Sequence, residues 1–193
     1  MAVGLRMDEH NYKRPICETF FKVKVTAFPF LKSETRANRL MELIHSDLCG
    51  PMPVETPSGC CYFLTLIYDH SRFTVIRLLN SKDEVFDAVK NYIAKTSNHF
   101  SRKPMIFRSH NRREYVTKSL ETYFKLQGIE HQLTIPYTSQ QNDVAERRNR
   151  SFTETVRCML SDAQLQSRFW GEAVLTAAYL QSSCPAEVHQ GHL

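Results

Sequence analysis

Residues 60–79 read CCYFLTLIYDHSRFTVIRLL, and the fold class turns on how they divide. Cys60 to Tyr68 and Phe73 to Leu79 are two runs of strand length, rich in aromatic and β-branched residues, with Asp69-His70-Ser71 as the turn between them. So short a connection has no room for a crossover helix, so the two strands are antiparallel. Upstream, Leu40 to Leu48 reads as another strand, with Asp47 near its end and Cys49-Gly50-Pro51 as its stop. Downstream the apolar period changes from two to that of a helix. Ser81 and Glu84 have capping-box spacing, and Val85, Phe86, Val89, Tyr92 and Ile93 follow at helical intervals. Met105 to Phe107 reads as a short strand leading into Arg108-Ser109-His110. Thr117 to Gln127 reads as a helix stopped by Gly128, and Ile129 to Ile135 as a strand closed by Pro136. A polar loop, Tyr137 to Asn142, feeds a long helix holding Val144, Phe152, Val156 and Met159, and a last helix runs from about Gln164 to Gln181. This order predicts an α/β fold: a mixed sheet of about five strands, three antiparallel and then parallel additions, flanked by helices.

A chain of 193 residues suits one domain of ordinary size, and 42% hydrophobic with 23% charged residues can bury a core, which excludes wholesale disorder. No run approaches the roughly 18 apolar residues of a membrane span, so no membrane partner is expected. Met1 to Lys13 lacks the apolar stretch of a signal peptide. The six cysteines are irregularly spaced and read as reduced thiols of an intracellular protein, with the nucleus a compatible compartment. A net charge of +5 permits a polyanionic partner without requiring one.

Three polar positions are placed where chemistry would gather: Asp47 at a strand's end, His110 after the fourth strand, and Glu146 in the first turns of the long helix. Strand ends and helix N-termini of α/β sheets converge on one crevice, and carboxylates there hold divalent metals for phosphoryl chemistry. An ordinary reading stands beside this one, in which Asp47 ends a strand and Glu146 complements a helix dipole. Cys60 and Cys61 point to opposite sides of one strand and cannot clamp a metal together. Trp170 and Tyr179, among Ala and Leu, are expected in the core.

Several motifs then point one way. They are His45-Ser46-Asp47-Leu48-Cys49-Gly50-Pro51, Asp69-His70-Ser71-Arg72-Phe73 and Ser81-Lys82-Asp83-Glu84-Val85-Phe86. Pro136-Tyr137-Thr138 through Gln140-Gln141-Asn142 follow, then Val144-Ala145-Glu146-Arg147-Arg148-Asn149-Arg150 and Phe169-Trp170 with Glu172-Ala173-Val174. Thr176-Ala177-Ala178-Tyr179-Leu180 completes the set. Over nearly its whole length the chain resembles the integrase region of copia-type long-terminal-repeat retrotransposon polyproteins. The resemblance implies a ribonuclease H-like fold, with the core at residues 40–185, a remnant of a pre-integrase zinc-knuckle region at 1–39, and a tail at 186–193. It also implies a centre of two Asp and one Glu that holds two Mg²⁺ or Mn²⁺ ions and turns water or a DNA 3′-hydroxyl on a phosphodiester.

Carried over residue by residue, Asp47 matches the first acid and Glu146 the Glu. The family places about 35 residues between its second Asp and its Glu, and the residue at that spacing here is His110. Where the family reads Asp-Asn-Gly-Gly-Glu-Tyr, this chain reads His110-Asn111-Arg112-Arg113-Glu114-Tyr115. A two-metal centre needs hard anionic oxygens, so the change predicts weak or absent Mg²⁺ or Mn²⁺ binding and a catalytically inactive core. His110, Asp47 and Glu146 also have ligand types that a single Zn²⁺ or Mn²⁺ accepts, whereas Glu114 lies too far along to replace the lost Asp. In the knuckle region Cys17, Lys24, Pro29 and Phe30 are in register, but Phe20 and Val23 replace a Cys and a Gly. His10 and Cys17 supply at most two ligands, so no structural zinc is expected. Ser139 and Asp143 depart from a Pro and a Gly before the long helix, where Asp143 can serve as its N-cap.

The expected partner is double-stranded DNA, bound without sequence preference by Arg112, Arg113, Arg147, Arg148 and Arg150 in one crevice, and self-association is compatible with it. The competing readings are an active Mg²⁺- or Mn²⁺-dependent integrase that tolerates His110, a host-reused protein-interaction module, and a degenerate fragment, to which the early stop at Leu193 would also conform.

Overall fold

A computed structural model describes residues 36–134 and 143–183. Residues 1–35 of the knuckle region, the loop at 137–142, Pro136, Ser139 and the tail lie outside them. Five strands form one mixed sheet: β1 (Leu43–Cys49), β2 (Tyr62–Tyr68), β3 (Thr74–Leu79), β4 (Ile106–His110) and β5 (Glu130–Thr134), in the order β3-β2-β1-β4-β5. β1, β2 and β3 are an antiparallel meander, and β4 and β5 are added in parallel. The four α-helices among the described residues are α1 (Val85–Phe100), α2 (Lys118–Gln127), α3 (Asp143–Asp162) and α4 (Trp170–Ser183). None is long and apolar enough to cross a membrane.

Alternation along β2 sends side chains into two cores. Leu64, Leu66 and Tyr68 join Ile44 and Leu48 of β1 and Phe107 of β4 beneath α1 and α2. Phe63, with Ile76 of β3, joins Phe152 and Val156 of α3 and Trp170, Val174 and Ala177 of α4. A central strand covered by helices on both faces has no polar side to show, which is why β2 reads as a continuous apolar run. Gly171 lets α4 lie close on the sheet: a Cβ there would stand 2.8 Å from Thr56 Cγ2 and 2.9 Å from Leu78 Cδ1. Trp170 donates through Nε1 to the Val54 carbonyl at 2.8 Å, whereas Tyr179, expected in the core, is 71% exposed.

The helix signals hold in place but not always in detail. Thr117 Oγ1 accepts from Leu120 N at 3.2 Å, and Gly128 closes α2 at φ +70°. The Ser81 side chain makes no capping bond; Glu84 reaches back to Asn80 N at 3.2 Å, and a 3₁₀ turn at Lys82–Glu84 precedes α1. Asp143, expected to cap α3, is its first residue and turns its carboxylate to Arg147 Nη2 at 2.9 Å. β4 extends through His110, which therefore stands on the strand and not after it.

Candidate active site and cationic surfaces

β1 and β4 lie side by side in parallel, with Ser46 opposite Ser109. The next residue on each strand is Asp47 and His110, and alternation turns both toward α3. Helix α3 answers with Glu146 and Asn149, one turn apart on its sheet-facing side. Asn149 donates through Nδ2 to Asp47 Oδ2 at 3.0 Å, while its Oδ1 accepts from Thr65 Oγ1 at 2.5 Å. The amide thus ties Asp47 to β2 across the core. Sequence reasoning assigns Asn149 no role of its own; the available signal is its position three residues after Glu146, in step with the buried Ala145 and Phe152.

Asp47 is only 6% exposed, and its Oδ1 has no hydrogen-bond partner among the described residues. Burial pushes its carboxyl above the usual carboxylate range, and Glu146 adds to the rise, while Arg112, His110 and the Asn149 hydrogen bond pull the other way. His110 donates through Nε2 to Glu146 Oε1 at 2.5 Å, and its Nδ1 lies 3.5 Å from Thr134 Oγ1 on β5. Both ring nitrogens are therefore engaged. The structure brings Asp47, His110 and Glu146 into one crevice, as their places in the sequence suggest.

A pair of divalent ions needs several anionic oxygens aimed between them. Here there are two carboxylates, and one is occupied by the His110 imidazole. Among the described residues no group of three or more His, Cys, Asp or Glu is arranged to hold a metal ion. The donor set does not fit a two-ion centre. Glu114 lines a cavity of about 860 Å³ with Lys82, Asp83, Phe86, Arg112 and Arg113, and does not join Asp47.

Of the five arginines expected in one crevice, four divide between two surfaces. Arg112 leans over the end of β1, donating through Nη1 to the Leu48 carbonyl at 3.5 Å, and Arg113 stands beside it. Arg147 and Arg148 face the other way, lining a cavity of about 360 Å³ with Arg72, Val144 and Ser151, and Arg150 is exposed. A buried network below that cavity has no signature in the sequence. Asp69 accepts from His45 Nε2 at 2.9 Å and from Ala37 N at 2.6 Å, and pairs with Arg72 Nη1 at 2.7 Å. Burial opposes ionisation of Asp69, but these three partners outweigh it and hold its carboxyl down at about 2.

The sequence model of the family described as "Integrase core domain" matches residues 37–139, a stretch that holds Asp47 and His110. The chain is 42% identical over 157 residues to the retrovirus-related Pol polyprotein from transposon TNT 1-94 of Nicotiana tabacum, covering 81% of this chain and 12% of that one. It is 28% identical over 180 residues to the retrovirus-related Pol polyprotein from transposon RE1 of Arabidopsis thaliana, covering 93% of this chain and 12% of that one. It therefore spans about an eighth of the length of these relatives. Among solved structures it is similar to a chain of the simian T-cell lymphotropic virus intasome in complex with PP2A regulatory subunit B56 gamma. The TM-score is 0.64 at 14% identity, over 81% of this chain and 53% of that one. At that identity the likeness concerns the fold, which is ribonuclease H-like.

Proposed function

The chain belongs to the integrase core domain family, and we propose that it serves there as a nucleic-acid-binding core that has lost metal-dependent strand transfer. One observation carries the reading: His110, on the family's second acid position, is hydrogen-bonded to Glu146 at 2.5 Å. The family normally uses divalent metals. Two carboxylates and an imidazole already committed to one of them leave too few anionic oxygens to hold a pair of ions. Arg112, whose charge reaches Asp47, raises the electrostatic cost of any cation entering the crevice and favours a phosphate instead, and Arg113 lies beside it on the neighbouring cavity.

What remains is a rigid sheet with two cationic surfaces and a core in which Asp47 is held by Asn149. Such a scaffold engages duplex DNA through phosphates and reads no bases. The test is a strand-transfer and nuclease assay on duplex DNA with Mg²⁺ or Mn²⁺, run beside Asp47→Asn. No joining above the Asp47→Asn background is expected. Metal-dependent joining by the unmodified chain that Asp47→Asn abolishes overturns the reading and restores an active integrase.

A further inference from the structure

Arg148 is half-buried on α3, and its hydrogen-bond partner among the described residues is neutral: Nη1 donates to Gln181 Oε1 at 2.8 Å. Its two neighbours each have a carboxylate. Arg147 pairs with Asp143 at 2.9 Å, and Arg72 pairs with Asp69 at 2.7 Å, although Asp69 is shared with His45. Among the described residues Arg72, Arg147 and Arg148 have two carboxylate partners between them, Arg36 adds a further cation near Arg72, and the unmatched charge of Arg148 sits where solvent screens it poorly. Burial, then the charge of Arg72, lowers the proton affinity of Arg148. Burial also lowers that of Arg72, where Arg36 and Arg147 oppose the help of Asp69. Like charges gathered in a partly buried place cost free energy unless an anion enters between them.

We propose that Arg72, Arg147, Arg148 and Ser151 form a phosphate site, separate from the Arg112–Arg113 crevice, that takes one phosphodiester group of a nucleic-acid backbone. The cavity they line, about 360 Å³, is open to a chain passing over it. Guanidinium forks match phosphate oxygens two at a time, and the Ser151 hydroxyl adds a donor. The site is held in place before any ligand arrives. Arg72 comes from the β2–β3 turn in a left-handed conformation, φ +60°, its N–H bonded to the Tyr68 carbonyl at 2.8 Å. The buried His45–Asp69 pair anchors its guanidinium to the sheet, and Gln181 of α4 anchors Arg148. A phosphate held here lies beside the helix turn that carries Glu146, so it fixes a strand next to the crevice. The nucleic-acid source of the phosphate rests on the function proposed above; the anion site does not.

The experiment measures duplex DNA affinity of the full chain across a salt series, with thermal melts of each variant. Arg148→Gln is expected to make the log–log salt slope shallower by about 0.9, one phosphate's share, with no loss in Tm. Arg72→Gln should make the slope shallower by the same amount but lower Tm, because the buried Asp69 loses its ion-pair partner, and the double variant should lose hardly more slope than either single one, because both hold one group. Arg112→Gln with Arg113→Gln should add to these losses. If the slope ignores Arg148→Gln and Arg72→Gln yet responds to Arg112→Gln with Arg113→Gln, the site is overturned and the nucleic-acid reading survives. If the unmodified chain binds no duplex, the nucleic-acid reading falls, and the anion site falls with it unless inorganic phosphate binds there. A saturable shift of the Arg148 Nε–H NMR signal with inorganic phosphate would then reassign the site to a free anion.

Discussion

His110 and Glu146 meet at 2.5 Å across the seam between β4 and α3, their side chains 29% and 35% exposed. In the family's pattern this seam would carry two acids, which repel each other until cations come between them. Here an imidazole N–H closes it without any ion.

Replacing His110 by Asp should therefore weaken the protein before it restores anything. Losing a charge-assisted hydrogen bond in a partly exposed seam costs about 1 kcal/mol after screening, and a Tm lowered by about 2–4 °C would show it. Added Mg²⁺ should recover little of this in His110→Asp alone. In the triple variant His110→Asp, Arg112→Gly, Arg113→Gly it should recover most, because binding to the folded state raises Tm. An equal Mg²⁺ response from the unmodified chain would count against the argument.

Asp47→Asn should stabilise the fold at neutral pH. The Asp47 pKa is raised by burial, so its favourable, protonated form is fully present below the unfolded value of 3.8 and is lost as pH rises through the folded pKa. At neutral pH the ionised side chain is a cost that Asn removes, while its amide oxygen still accepts from Asn149. Each kcal/mol gained raises Tm by about 2–4 °C in a domain of this size. The gain should shrink toward pH 4. A variant less stable than the parent at pH 7 would contradict this.

Asp69 has the opposite sign. Its pKa is lowered to about 2, so its contribution is present above 3.8 and disappears as pH falls through about 2. Asp69→Asn should cost on the order of 2 kcal/mol at neutral pH and flatten the acid limb between pH 4 and 2. Acid-unfolding curves of parent and variant that stay parallel through that window would mean the network is not what stabilises the turn.

Arg112→Gln with Arg113→Gln should weaken duplex binding at low salt and make the salt slope shallower by about 0.9 for each phosphate no longer neutralised. The residual slope should then belong to Arg72, Arg147 and Arg148. Salt titration by fluorescence anisotropy decides it, and an unchanged slope would take DNA away from this crevice.

Gly50→Ala should destabilise the end of β1. Gly50 has φ +133°, and a Cβ there would stand 2.6 Å from Tyr62 Cδ1 and 2.8 Å from the Cys61 carbonyl oxygen. Because backbone cannot step aside as a flexible side chain can, a cost of roughly 1–3 kcal/mol follows, read as a lower Tm.

The kinds and order of elements were legible because their signals are local. Strand-length runs of aromatic and β-branched residues, the helical period of Val85, Val89, Tyr92 and Ile93, and the Gly128 stop each depend on a few neighbouring residues. Strand ends were less legible: β1 begins at Leu43 and β2 at Tyr62, since pairing in the sheet, not composition, sets where a ladder starts. The expectation for Tyr179 fails because α4 is apolar around much of its circumference, so its pattern does not say which face is covered.

From the sequence alone came the α/β order, a histidine at the spacing where the resemblance expects an acid, and the presence of arginines after Glu146. Only the tertiary structure decided that His110 hydrogen-bonds Glu146, that Asn149 holds Asp47, and that Arg147 and Arg148 stand with Arg72 and apart from Arg112. Those meetings depend on the register of β1 against β4 and on the rotation of α3 over the sheet. Both are set by Phe152 and Val156 packing into one core and Phe107 into the other. Such packing sums interactions between residues distant in the chain, and no short stretch of sequence encodes that sum.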